Sequence, residues 1–318
     1  IKFSHVTNAD KHPKGIAASL LEKRVNEEMN GKACMEVFPN STLYNDDQVL
    51  EAMLQGDVQM AAPSLSKFEK FTKQFRIFDL PFMFKNIDAV DAFQNSDTGQ
   101  AMKESMTRRG LLGLQFWHNG MKQMSANRPL IEPQDASGLK FRVHASDVLV
   151  AQFEQLGASP QKLSFKEVYG GLQTKVIDGQ ENPLPDVCIP VQIWQYQKYI
   201  TRWNYLVDPL VIYWSKKEFD AFPKDIQKAI QEAALEAGRF EMALARAGID
   251  EPARLRVGDI SRQRGARPIA LHHRIVDQVV DDLDMRVGET PFDRRKGSIG
   301  VGRIHRVVQR TRAACLPQ

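Results

Sequence analysis

The feature that most constrains this chain is the rhythm of its first 63 residues, where short strand patterns alternate with amphipathic helical ones. Lys2–Val6 is a strand candidate. After His12-Pro13, Ile16, Leu20, Leu21, Val25 and Met29 recur at helical spacing, and Asn30-Gly31 supplies a C-cap signal. Ala33, Met35 and Val37 then alternate as in a half-buried strand, which Pro39-Asn40 stops. A second helix is predicted over about Asp46–Leu54, ending at Gly56, and a third strand over about Val58–Ala62, closed by Pro63. This βαβαβ order predicts an α/β sheet with parallel strands, because a strand returning through a helix lies parallel to its predecessor. Two further helices, about Ile87–Phe93 and Thr98–Arg109, lead through Gly110 into the apolar run Leu111–Trp117.

Beyond a polar segment, Asn127–Gly138, the sequence Leu139-Lys140-Phe141-Arg142-Val143 alternates strictly. As a strand it turns Leu139, Phe141 and Val143 to the core and Lys140 and Arg142 to the opposite face. A helix over about Val148–Leu156, a loop through Pro160 and a helix over about Phe165–Thr174 follow. Val176-Ile177 is a short apolar step before the turn sequence Asp178–Pro183. A long Ala-rich helix is predicted from about Asp225 to Arg246, preceded by Pro223 and terminated by Gly248. At 1.5 Å per residue it is about 33 Å long, enough to lie across two lobes.

Composition removes several classes. No apolar run reaches the roughly 18 residues that span a bilayer, and ordinary charge and aromatic content argue against a disordered, collagen-like or coiled-coil chain. The three cysteines, Cys34, Cys188 and Cys315, form neither a disulfide scaffold nor a CxxC pair. The net charge of +4 is unevenly distributed: residues 1–251 hold 29 Lys and Arg against 32 Asp and Glu, and residues 252–318 hold 14 against 7. Thirteen of those 14 are Arg, and Phe292 is the sole aromatic residue there. Such a bounded Arg-rich tail reads either as a basic arm or as a reading-frame difference. Its arginines are scattered, not gathered into the compact block that marks a polyanion site.

Catalytic signatures are missing from the sequence. There is no GxSxG, HExxH, Walker loop or GxGxxG; Gly297, Gly300 and Gly302 have the wrong spacing for a dinucleotide turn, and the adjacent His272-His273 point apart on any regular element. The reading is therefore of a binding protein without cofactor or metal, not an enzyme. Arg142 is its sharpest candidate, since a guanidinium on a short, core-flanked strand is held rigidly and makes a bidentate contact to a carboxylate. The alternative is a solvated strand arginine. Asp178–Pro183, with Glu181, Asn182 and Pro183, is either a second ligand element or a plain turn. Lys122, just after an apolar strand, is either a second cation or a surface residue.

Six separated blocks carry a resemblance: APSLSKFEKF (62–71), FDLPFMF (78–84), WHNGMKQ (117–123), GLKFRV (138–143), SFKEVYGGLQT (164–174) and VIDGQENP (176–183). In this order and spacing the chain, over about residues 1–250, resembles the extracytoplasmic solute-binding proteins of tripartite ATP-independent periplasmic (TRAP) transporters, in their C4-dicarboxylate-binding branch. The resemblance implies a two-lobed, periplasmic-binding-protein-like α/β fold with crossing hinge strands and a long lobe-spanning helix. Lobe I would comprise 1–119 completed by about 208–247, and lobe II 120–207 completed by 248–318. It further implies that Arg142 clamps a ligand carboxylate, that Asn182 contacts the same ligand, and that Phe165 covers the site. Lys122 would stand where many relatives carry a second arginine. Ser64 and Lys67 would form the first-lobe ligand loop, and His5 and Asn8 would lie at the cleft. Departures are the 183–197 segment, Tyr205 where relatives often have histidine, and the tail 252–318.

The expected function is thus capture of a small organic acid, such as succinate, malate or fumarate, for delivery to integral membrane permease subunits, with no nucleic-acid partner. The alternatives are a monocarboxylate or 2-oxo acid ligand, or, from another class, an enzyme or a basic nucleic-acid-binding protein. A start at Ile1 directly ahead of a strand suits a mature, exported chain with its signal peptide removed, and the resemblance implies a periplasmic location.

Overall fold

In the computed structural model, which describes residues 1–188 and 191–250, the N-terminal rhythm becomes three parallel strands joined by two helices. They are β1 (Lys2–Ser4), α1 (Pro13–Glu28), β2 (Glu36–Phe38), α2 (Val49–Gln55) and β3 (Met60–Ala61). β1 lies between β2 and β3 and is parallel to both, as the βαβαβ pattern requires. His12 caps α1, its Nδ1 accepting from the Lys14 amide at 3.1 Å, and Pro13 sits in the first turn, where no amide donor is needed. Ala17, Ala18, Leu21 and Val25 are fully buried on its inner face. α2 starts at Val49, three residues later than its sequence pattern suggests. Residues 45–48 form a turn in which Asn45 Oδ1 accepts from the amides of Asp47 and Gln48, each at 3.0 Å. This turn frees Asp46 from the helix and lets it face inward.

The chain continues through α3 (Ile87–Asn95), α4 (Asp97–Glu104), β4 (Leu111–Ala126), β5 (Lys140–Val143), α5 (Asp147–Gln155), β6 (Ser159–Lys162), α6 (Phe165–Gln173), β7 (Gly179–Pro183), β8 (Tyr199–Thr201), β9 (Val207–Ser215), α7 (Lys216–Ala221) and α8 (Lys224–Asp250). Two of these correct the sequence reading. The segment around Pro160 is a strand, not a loop. β6 is the outermost strand beyond β5, and an edge position tolerates the missing proline donor. α8 runs through Gly248 to Asp250, its packing outweighing the roughly 1 kcal/mol that a helical glycine costs.

The strand order is β2-β1-β3-β9-β4-β7-β5-β6, with β8 also paired to β4. β4 belongs to two sheets. Its first part pairs antiparallel with β9, from Leu111 opposite Ser215 to Met121 opposite Val207. Its last five residues pair with β7, from Lys122 opposite Pro183 to Ala126 opposite Gly179. The changeover coincides with a register shift between His118 and Met121, where Gly120 has a φ of 93°. That left-handed backbone suits glycine and makes the bulge that re-aims the strand.

Two lobes follow, each with its own core. Phe3, Leu21, Trp117, Ile212, Trp214 and Ile230 belong to a cluster around β1, β9, α1 and α8; Met124, Phe141, Val143, Leu149 and Phe153 belong to another around β5 and α5. α8 packs on α1 and β4 and reaches Leu184–Cys188 of the second lobe. Its 27 residues span about 40 Å. The approach to β4 is close, for a Cβ on Gly238 would stand 2.4 Å from Gln115 Cγ. No helix among the described residues is long and apolar enough to cross a membrane. The expectations placed on Cys315, His272-His273, Gly297–Gly302, the basic tail and the tail's completion of the second lobe lie outside the described residues.

Candidate functional site

Where the two lobes face each other, a cavity is lined by Ser4, His5, Lys14, Asp46, Ser64, Asn119 and Asp208 from one side and His144, Phe165, Asn182 and Val187 from the other. Its empty space, open mouth included, is about 510 Å³. The lining is dense in buried polar groups, which an apolar core would exclude unless each had a partner.

Arg142 sits on β5 with Phe141 and Val143 buried to either side, and is itself 0% exposed. The strand alternation holds as expected, with Lys140 exposed, but at Arg142 the opposite face is also closed to solvent. Its Nε donates to the Leu163 carbonyl at 3.0 Å, which fixes the plane of the guanidinium. Both terminal nitrogens lack a hydrogen-bond partner. The nearest carboxylate oxygen to them, Asp46 Oδ2, is 3.8 Å from one. A buried fork with its two outer nitrogens open is costly on its own and suited to a carboxylate.

Asp46 ties this corner together. It accepts from Lys67 Nζ at 3.0 Å and from the Phe165 amide at 3.0 Å. That amide opens α6, whose first turn is fixed by a capping box between Ser164 and Glu167, so the carboxylate meets the positive end of a helix. Burial pushes the Asp46 carboxyl up, but the Lys67 ammonium and the Arg142 guanidinium outweigh it and hold the group below its ordinary value. Lys67 is spent on Asp46 and on Asp47, at 2.7 Å.

A second corner is self-contained. Lys122 and Glu181 are diagonal neighbours across β4 and β7, on one face of the pair, and their side chains meet at 3.0 Å with neither exposed. Tyr205 donates to the other Glu181 oxygen at 3.0 Å. Lys122 also lies 3.2 Å from His144 Nδ1, so His144 presents a lone pair there and is neutral. Burial first, then the Lys122 charge, hold its pKa well below the ordinary value. Burial pushes Glu181 upward, against the pull of Lys122. Asp208 joins in, accepting from Ser64 Oγ at 2.5 Å and from Asn119 Nδ2 at 2.8 Å.

The structure therefore brings Arg142, Lys67 and Phe165 together on Asp46; Phe165, Ser64, His5 and Asn182 line the cavity, whereas Arg142, Lys67 and Lys122 are buried beside it and outside its lining. Asn182 Nδ2 is turned to Gln180, and His5 Nδ1 to Thr7 Oγ1 at 3.1 Å. Asn8 stands apart: its Oδ1 accepts from the amides of Asp10 and Lys11 in a surface turn, and it does not line the cavity. Lys14, Asp46, Asn119, His144 and Asp208 were not anticipated. One signal was available for Asp208, a charge inside the otherwise apolar run Leu206–Trp214. Among the described residues, no group of three or more His, Cys, Asp or Glu is placed to hold a metal ion.

Residues 3–251 match the family of bacterial extracellular solute-binding proteins, family 7. The chain belongs to this family. It is 65% identical over 240 residues to the C4-dicarboxylate-binding periplasmic protein DctP of Vibrio cholerae, covering 74% of this chain and 72% of that protein. It is 46% identical over 255 residues to the protein of the same name from Shewanella loihica, covering 80% and 75%. Among solved structures, a TRAP periplasmic solute-binding protein from Shewanella oneidensis with bound succinate has a TM-score of 0.79 at 38% identity, covering 99% of each chain. The two-lobed architecture is thus the family's own.

Proposed function

We propose that this protein captures a C4-dicarboxylate in the cavity between its lobes, in the periplasm, and delivers it to the integral membrane subunits of a TRAP transporter. One observation carries the reading at the level of chemistry: the buried Arg142 fork, fixed through Nε and open at both outer nitrogens. With Asp46 no nearer than 3.8 Å, the outer nitrogens keep unused donors until a ligand carboxylate arrives. Asn182, which lines the cavity, supplies a neighbouring amide. Phe165 covers the site from the start of α6, and Ser64 and His5 line the first-lobe wall. Lys122 and Lys67 stand behind the site, each held by protein carboxylates. The succinate and malate bound by related TRAP proteins of known structure, and the name shared by the relatives in Vibrio and Shewanella, support the same class of ligand. The work done is capture and release: the ligand fits the closed arrangement better and shifts the lobes towards it.

Calorimetric titration against succinate, malate, fumarate, lactate and pyruvate tests the reading. The C4-dicarboxylates are expected to bind, and Arg142→Ala is expected to weaken them by about 100-fold or more, the cost of removing one partner of a buried charged contact. Equal affinity for lactate and succinate would instead favour a monocarboxylate site. Full binding by Arg142→Ala would end the assignment of that residue.

A further inference from the structure

Four cationic side chains stand in the polar interior between the lobes, where Lys14 lines the cavity and Arg142, Lys67 and Lys122 lie outside its lining, and their partners differ. Lys122 is neutralised by Glu181 at 3.0 Å and Lys67 by Asp46 and Asp47. Arg142 is half spent, with Nε bonded and its outer nitrogens open. Lys14 is the fourth. It opens α1, is 3% exposed, and lines the cavity beside Ser4, His5, Asn119 and Asp208.

Its ammonium has no hydrogen-bond partner, and no carboxylate within 4 Å, among the described residues. Asp208, Glu241 and Asp46 attract it from farther away, but burial is the larger effect and lowers its pKa. Those carboxylates have other commitments. Asp208 accepts from Ser64 and Asn119, Glu241 from the His118 amide at 3.3 Å, and Asp46 from Lys67 and Phe165. The residue after Lys14, Gly15, packs so tightly that a Cβ there would stand 2.0 Å from the Asn8 carbonyl, which fixes the first turn of α1 against the loop before it. An ammonium without a protein partner, on a rigid helix start and lining a cavity, is a poor structural element and a good anion receptor.

We propose that Lys14 is a ligand-binding residue whose ammonium takes one carboxylate of the bound acid, so that with Arg142 it selects a dianion over a monocarboxylate. This rests on the capture reading above and deepens it. The two cations with unspent donors come from different lobes, Lys14 from α1 and Arg142 from β5, so an acid charged at both ends ties the lobes together. An acid with one charge leaves one cation buried and unmatched. Lys122 and Lys67, the lysines that the resemblance puts at the site, are occupied by protein carboxylates.

The test is Lys14→Met, which keeps the length and removes the charge, measured beside the wild type and Arg142→Ala. Succinate and butyrate, equal in carbon number, are titrated by calorimetry, and the ligand-free melting temperature is recorded. Lys14→Met is expected to lose about 30-fold or more in succinate affinity, to lose the preference for succinate over butyrate, and to melt no lower than wild type without ligand. Wild-type affinity for succinate in Lys14→Met would overturn the proposal while leaving the capture reading intact. So would a lower ligand-free melting temperature or failure to fold, since either means that a protein group already holds the ammonium. If the wild type bound no dicarboxylate at all, the capture reading would fall first.

Discussion

The two charged corners of the cavity use the same chemistry to opposite ends. Around Glu181 the books are closed: Lys122 takes one oxygen, Tyr205 the other, and His144 offers its lone pair to the lysine. Around Arg142 they are left open, for Asp46 approaches only to 3.8 Å and the outer guanidinium nitrogens remain without partners. A fully paired buried network rigidifies, and a partly paired one stores an unmet demand for charge. The comparison teaches that charge near a cleft does not identify a ligand-binding residue; the unspent donor does.

The largest expected effect comes from breaking the closed corner. Glu181→Ala leaves Lys122 buried without its carboxylate, and the fold is expected to lose about 3–5 kcal/mol, read as a lower urea midpoint at unchanged slope. If stability were unchanged, the pair would not be the rigid element described. Asp46→Asn is expected to cost less, about 1–3 kcal/mol, because Lys67 keeps Asp47 at 2.7 Å. Its signature is a change in pH dependence. The Asp46 carboxyl is held below its ordinary value of 3.8, so the folded state releases its proton more readily than the unfolded one. Its stabilisation is therefore complete above about pH 4 and disappears as the pH falls through the lowered folded value. Urea midpoints between pH 2.5 and 7 should show a shallower acid limb in Asp46→Asn than in wild type. The smallest effect is that of Tyr205→Phe, which removes one hydrogen bond to Glu181 at about 1–2 kcal/mol. An effect as large as that of Glu181→Ala would mean that the tyrosine, and not the lysine, holds the corner.

Much of the frame was legible in the sequence, for reasons that particular elements make plain. β2 and α2 each bury one side, so their periods of 2 and 3.6 stand out. β9, by contrast, received no sequence assignment although every residue of it is buried. A strand covered on both faces shows no alternation to read. The same distinction runs through the site. Arg142 could be singled out because Phe141 and Val143 flank it on a short strand, whereas its state of pairing depends on Asp46 and Leu163, far away in the chain. The helical pattern puts Asp46 at the start of α2, and only the Asn45 turn shows that it points inward. Lys14 gave no signal, since a lysine opening a helix is ordinarily solvated; its burial comes from the packing of Gly15 against Asn8.

One further consequence lies in β4. Because a single strand pairs with β9 through Met121 and with β7 from Lys122 onward, neither sheet can be dismantled without stripping the other of a neighbour. α8, lying along the same strand and reaching the second lobe, adds a second tie. Heating should therefore melt the two cores together, and a calorimetric scan should show one endotherm whose van't Hoff enthalpy matches its area, although the molecule has two lobes.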